Sequence, residues 1–302
     1  MTDTVTPPAT AAPATGTPPR DRRTYRPYRA GRSGKGWLIG RTALLLAGAV
    51  LTLFPFYAMV VLSFKPAGPV TFPDSLLPWP FSTEAYDQVI GAKSVLRWMV
   101  NTLVYSVVSV VGVLLFASMA GYAFAKKRFP GKETMFWSFL AMLMVPYHVT
   151  MIPTFIIISE LNGVDTYWGM IVPTLANAQA VFLMRQFIAS LPDSLFEAAR
   201  LDGCSEWRVY VAIVLPLIKP ILATLGVFVF LWHWNDFLWP LIVGQSLDMR
   251  TLTTGIASLQ QENVPLNMLL AGSVVAFVPI FMAYLVGQRY FQEGVATTGI
   301  KG

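Results

Sequence analysis

The chain has 302 residues, of which 55% are hydrophobic and 13% charged, with a formal charge of +6. Soluble domains carry about 25% charged residues, so half that share, set between long apolar runs, excludes an ordinary soluble protein and points to a polytopic membrane protein. The basic residues lie in short flanks between those runs, which argues against a nucleic-acid surface and suits control of topology. A single cysteine, Cys204, and two histidines, His148 and His233, exclude an internal disulfide, a Cys-based metal site and a His cluster.

Residues 1–38 read as a Pro/Ala-rich and then basic tail, too poor in large apolar side chains to offset its ordering entropy, and therefore disordered. Within it, Gly31-Arg32-Ser33-Gly34-Lys35-Gly36 has the wrong spacing for a phosphate-binding loop. Residues 39–302 form the membrane domain, with spans expected near 42–63, 96–125, 135–158, 167–187, 218–242 and 266–290. The first run is too long for the core of a cleaved signal peptide. A Pro-rich loop follows it. In the second span Ser106, Ser109, Gly112, Ala117, Ala120 and Gly121 recur at a spacing that lets a neighbouring helix approach closely. The third contains Pro146 and Pro153 and is expected to bend. His148 there reads as a hydrogen-bonded packing residue, and Glu160 and Asp165 as turn residues.

Eighteen of the 22 Lys and Arg residues fall on one side of a six-span topology and four on the other. The basic side faces the cytoplasm, so both termini and the loop 190–220 are expected there, in a cell (inner or plasma) membrane. That loop is the one long polar island between apolar runs. Ser190 reads as an N-cap, with Pro192 in the first turn and Asp193 at the positive helix end. Gly203 suits the left-handed residue that ends the helix near Leu201. Ser205 then caps a second helix whose Trp207, Tyr210, Val211 and Val214 form an apolar stripe against the spans.

Glu197-Ala198-Ala199, Gly203, Ile213, Leu215 and Pro216 meet every fixed position of the pattern EAA-x3-G-x9-I-x-L-P. In these residues the chain resembles ATP-binding-cassette importer permeases of the carbohydrate-uptake type, in particular the smaller permease subunit of the maltose transporter. The resemblance covers roughly residues 40–302 and includes Asn101-Thr102, Gly121-Tyr122-Ala123-Phe124-Ala125 and Trp234-Asn235-Asp236-Phe237. Cys204 departs from it, since Ala is common there. It implies an all-α, six-span permease with a cytoplasmic coupling helix. Glu197, Ala198, Ala199, Asp202 and Gly203 would meet a dimer of cytoplasmic ABC ATPase. It further implies a second, different permease subunit and an extracytoplasmic solute-binding protein, with the tail at Lys301 and Gly302 reaching the ATPase. No cofactor is expected on this chain, which lacks ATPase motifs; ATP and Mg belong to the partner ATPase.

Trp232, Trp234 and Trp239, with Asn235 and Asp236, admit two readings: an aromatic belt with helix-packing polar groups, or the wall of a sugar path. The solute is expected to be a sugar or oligosaccharide, with a polyol, glycerol phosphate or polyamine as the alternative. An ion-coupled carrier would need ionisable residues at the midplane, and the spans offer essentially none besides Asp236.

Overall fold

The chain divides into two compact units, residues 1–52 and 53–302. The computed structural model describes residues 35–91, 93–261 and 264–298, and over these residues it is helical, without a strand. The tail up to residue 34, and Lys301 and Gly302, lie outside the described residues.

The first unit holds the N-terminal half of α1 (Lys35–Ser63), whose side chains from 37 to 52 are exposed, as befits a helix solvated by lipid. Arg41 lies over the Trp37 ring at 5.0 Å.

In the second unit the end of α1 meets the Pro-rich loop, where the Tyr57 hydroxyl donates to the Leu76 carbonyl at 2.9 Å. Next comes α2 (Glu84–Gly91), with Ala85 and Val89 buried. The 34-residue α3 (Lys93–Lys126) is the axis of the unit. It packs most extensively against α7 (Ala178–Ala189) and then against α11 (Lys219–Trp234). The small residues anticipated in α3 make this possible. A Cβ on Gly121 would lie 2.6 Å from Met184 Cβ and 3.0 Å from the Arg185 nitrogen, so the two backbones are in near contact there.

Among the described residues three helices are long and apolar enough to cross a membrane: Trp37–Ser63, Ser94–Lys126 and Leu266–Leu285. Two bent pairs bring the number to five if each pair is counted as one span. The first pair is α4 (Lys132–Ala141), with the 3-10 turn after it, and α5 (Tyr147–Glu160), bent by 102°. The bend falls at Pro146, whose ring forces Val145 out of the helical region; Pro153 is carried inside α5. The second pair, Glu206–Leu217 and α11, is bent by 75°.

The run expected as a continuous fourth span is broken. It consists of α6 (Tyr167–Ile171), a 3-10 turn Val172–Thr174 around Pro173, and α7. Asn177 restarts the helix by accepting from the Ala180 N–H at 2.8 Å. The fifth span is also shorter than expected. It ends at Trp234, because Asn235 turns its side-chain amide back onto the Leu231 carbonyl at 2.7 Å. The chain resumes as α12 (Leu238–Val243), α13 (Leu252–Gln261) and α14 (Leu266–Thr298).

Candidate functional site

The polar island folds as α8 (Asp193–Leu201) followed by α9 (Glu206–Val209), a π-helical turn Tyr210–Val214 and α10 (Leu215–Leu217). Gly203 has φ +67 and closes α8. Its N–H donates to the Arg200 carbonyl at 3.1 Å and that of Cys204 to the Ala199 carbonyl at 3.0 Å, the two bonds of a Schellman ending. Ser205 caps α9 as expected, accepting from the Arg208 N–H at 3.3 Å. Ser190 does not cap α8. Its hydroxyl donates back to the Phe187 carbonyl at 2.7 Å and so belongs to the end of α7, while Pro192 holds the N-cap position.

The expected stripe along the second helix is also corrected. Tyr210 and Val214 are buried together with Val209, but Trp207 is 62% exposed and Val211 is exposed. Pro216 has no N–H and its ring would strike the carbonyl four residues earlier. The wide π turn before it accommodates the ring and shifts the phase of the buried face.

Residues of α3 hold this island to the bundle. Ser118, Tyr122 and Lys126 recur every four residues and so share one face. The Ser118 and Tyr210 hydroxyls are 2.7 Å apart. The Tyr122 hydroxyl donates to Glu206 Oε2 at 3.1 Å, and its ring stacks on Phe196 at 6.2 Å. Lys126 Nζ donates to Asp193 Oδ1 and to the Leu191 carbonyl, each at 2.7 Å. Lys127 pairs with Glu206. Phe196 and Ala199, on the inner face of α8, join a core shared with Met184 and Ile188 of α7. The outer face presents Glu197, Ala198, Leu201 and Asp202, with Leu201 90% exposed. Sequence reasoning found this helix pair but missed its attachment, although the four-residue recurrence of Ser118, Tyr122 and Lys126 was there to be read.

The attachment is ionic and so depends on pH. The Lys127 hydrogen bond holds the Glu206 carboxyl below its ordinary 4.5, and Lys126, by hydrogen bond and charge, holds that of Asp193 below 3.8. A depressed carboxylate contributes above its unfolded pKa and loses that contribution as pH falls through the folded one. Hydrogen exchange in α8 and α9 is therefore expected to quicken below about pH 4.5, and Lys127→Ala should abolish much of that pH dependence. Both carboxylates are largely exposed, so solvent screens both pairs and the Glu206 pair contributes under about 1 kcal/mol.

At the opposite end of α3, Trp98, Asn101, Thr102 and Tyr105 form a second gripping face. The Trp98 indole donates to the Leu247 carbonyl at 2.9 Å. Asn101 donates to the carbonyls of Asp248 and Arg250 at 2.7 and 2.8 Å and accepts from the Tyr167 hydroxyl at 2.7 Å. Thr102 accepts from the Leu252 N–H at 2.7 Å. The Tyr105 hydroxyl donates to Asp236 Oδ2 at 2.8 Å.

Trp234 and Asp236 thus serve packing. Trp234 is 2% exposed and donates to the Ala276 carbonyl of α14 at 3.2 Å. Asp236 binds Tyr105 through its carboxylate and Thr253 through its carbonyl. Asn235, in contrast, is exposed and acts as the C-cap of α11. Asp236→Ala leaves the buried Tyr105 hydroxyl without its acceptor and should lower stability by about 1–3 kcal/mol, read as a lower melting temperature in detergent. Asn235→Ala should cost under about 1 kcal/mol and leave uptake unchanged. His148 is exposed, edge-on to Tyr147 at 6.0 Å, rather than buried in a hydrogen bond. Asp165, read as an ordinary turn residue, has φ 56 and accepts from the Ser246 N–H at 2.7 Å.

The helix breaks converge on a cavity of about 950 Å³, lined by segments 142–154, 173–183 and 225–233 and by Trp239. The break at 142–146 leaves about 15 Å of helix back to Lys132 and about 20 Å on to Glu160, in two legs bent by 102°. Irregular backbone inside a membrane is tolerated only where protein buries it or where it lines a cavity. No sequence motif announces this feature, because its three walls come from distant parts of the chain.

The family described as "Binding-protein-dependent transport system inner membrane component" matches residues 95–296. The arabinooligosaccharides transport system permease protein AraQ of Halalkalibacterium halodurans is 38% identical over 259 residues, 84% of this chain and 93% of that protein. The sn-glycerol-3-phosphate transport system permease protein UgpE of Brucella abortus is 33% identical over 273 residues, 86% and 96% of the two chains. A crystal structure of a bacterial ABC transporter involved in the import of the acidic polysaccharide alginate superposes with a TM-score of 0.74 at 25% identity, over 86% of this chain and 98% of that one. With its apolar helices, helix breaks and polar island held to the bundle, the chain belongs to the inner membrane components of binding-protein-dependent transport systems, and is a multi-pass permease subunit rather than an enzyme.

Proposed function

We propose that this chain is one half of the translocation pore of an ATP-driven importer for a sugar or oligosaccharide. Both termini face the cytoplasm, as does α8. The outer face of α8, from Glu197 to Gly203, enters a groove on one subunit of a dimeric ATPase, which holds the ATP and Mg. The tail at Lys301 and Gly302 reaches the same ATPase. A second, different permease subunit completes the pore, and an extracytoplasmic binding protein delivers the solute.

The observation that carries this reading is the mounting of α8. Its inner face shares a core with α3 and α7, its N-terminal Asp193 is tied to Lys126 of α3, and the α9 that follows is tied through Glu206 to Tyr122 and Lys127, while Glu197, Ala198, Leu201 and Asp202 stay free. A push on α8 is therefore transmitted to two spans as a rigid-body movement. A phosphorylated polyol is the second reading of the solute, favoured by the UgpE relative.

The test is solute uptake by cells that carry this chain with its genomic neighbours. Uptake of a neutral oligosaccharide should need this chain and collapse on ATP depletion at constant ion gradients. Uptake that follows a proton or sodium gradient and ignores ATP would contradict the proposal.

A further inference from the structure

The charge of this chain is concentrated at one end. Residues 1–41 hold eight of its 22 Lys and Arg residues and two of its 16 Asp and Glu residues. They therefore carry the whole formal charge of +6, and the remaining residues hold fourteen of each sign. All eight basic residues fall between Arg20 and Arg41, with Asp21 the only acid among them. Seven of the eight are Arg, whereas the rest of the chain has seven Arg and seven Lys. Topology does not require this cluster. Without it the same side of the six-span arrangement still holds ten basic residues against four on the other.

The cluster is also tethered to the membrane. α1 begins at Lys35, and its apolar, membrane-crossing part begins at Trp37. Arg32 thus lies three residues before the helix and Arg20 fifteen. At about 3.3–3.6 Å per residue, every one of these side chains can reach the headgroups of the leaflet that α1 enters. The start of α1 has the character of an interfacial anchor. Trp37 is 60% exposed, and the Arg41 guanidinium lies over its ring at 5.0 Å. Tyr25 and Tyr28, set among the Arg residues, are of the other aromatic type enriched at headgroup level.

We infer that residues 20–41 form a binding segment for anionic phospholipid headgroups in the leaflet that α1 enters. The guanidinium fork matches a phosphate bidentately, which a Lys ammonium does not, and the cluster is built almost wholly of Arg. A choline headgroup offers the same phosphate but cancels its charge, so the ligand is a headgroup of net negative charge. Nucleic acid also offers phosphates. The tether, however, keeps the cluster beside headgroups at high local concentration, and this favours the lipid. The inference does not rest on the importer reading, since such a segment would bind lipid whatever solute the chain carries.

The test uses the full chain in nanodiscs of phosphatidylcholine, or of an equal mixture of phosphatidylcholine and phosphatidylglycerol. A spin label is attached to Thr24→Cys in a Cys204→Ser background, and its motion is read by electron paramagnetic resonance. The ratio of slowed to fast label should be about 10-fold or more higher in the mixed discs. Raising salt from about 0.1 M to about 1 M, which shortens the Debye length from about 10 Å to about 3 Å, should reverse most of that rise. Gln in place of Arg22, Arg23, Arg26 and Arg29 should also abolish it, with the melting temperature of the chain unchanged.

Equal label motion in the two kinds of disc would overturn the inference. So would slowing that persists in the Gln variant, because the cations would then not be what binds. A label that stays fast in the mixed discs and slows only when ATPase subunits or RNA are added would assign the cluster to a protein or a nucleic acid, and would overturn it too.

Discussion

Gly203→Pro is expected to reduce ATP-driven uptake about 100-fold or more while the bundle still inserts and folds, the factor that corresponds to about 3 kcal/mol at one element. Gly203 sits at φ +67, a value that proline cannot adopt. Its N–H also makes one of the two bonds that end α8, to Arg200 at 3.1 Å. Proline removes both features, so the chain cannot reverse between α8 and the Ser205 cap, and the face carrying Glu197 and Leu201 loses its orientation. Gly203→Ala is the control. A Cβ there meets nothing within 4 Å, so only the backbone penalty of about 1–2 kcal/mol applies. Its uptake should lie between those of wild type and the proline variant. Membrane yield and elution as a monodisperse complex should be the same for all three, since Gly203 touches no part of the core.

Gly121→Leu should be strongly destabilising, with a loss above about 3 kcal/mol and little or no folded protein recovered in detergent. The added Cβ alone would meet Met184 Cβ at 2.6 Å and the Arg185 backbone nitrogen at 3.0 Å. No rotamer relieves a clash with backbone, so α3 and α7 must separate. That separation would open the core that seats Phe196 and Ala199 of α8. Gly112→Ala provides the contrast. Its Cβ meets Leu175 Cδ2 at 2.6 Å, but that atom is the tip of a flexible side chain that can move. The alanine variant should melt within a few degrees of wild type, measured by thermal shift in the same detergent.

Much of this architecture follows from local chemistry and was therefore readable in the sequence. The left-handed Gly203, the Ser205 cap, the bend at Pro146 and the close approach at Gly121 each depend on residues within a few positions or on a single small side chain. What escaped depends on distance along the chain. Nothing near Asp236 announces Tyr105, 131 residues away, as its partner. The break at Pro173 was hidden because the apolar run continues through it, and hydropathy does not register a 3-10 turn. The phase of α9 was misjudged because a 3.6-residue period was carried across a π turn that Pro216 imposes. Of the candidate solute residues, Trp234 and Asp236 make packing contacts, whereas Trp232 and Trp239 line the cavity. A difference of one residue turns a helix by about 100°, and the sequence alone could not say which face of α11 met α14.

The account depends above all on α8 as the surface that receives an ATPase. Leu201, 90% exposed on that surface, is the place to ask. A photoreactive amino acid is introduced at Leu201 of the full chain, expressed with its genomic neighbours, and the adduct formed on irradiation is identified by mass spectrometry. The predicted adduct is a soluble subunit that carries a phosphate-binding loop, and its yield should change when ATP is added. Cross-linking to lipid or to another membrane subunit, with no ATPase adduct in a preparation that transports, would contradict the claim.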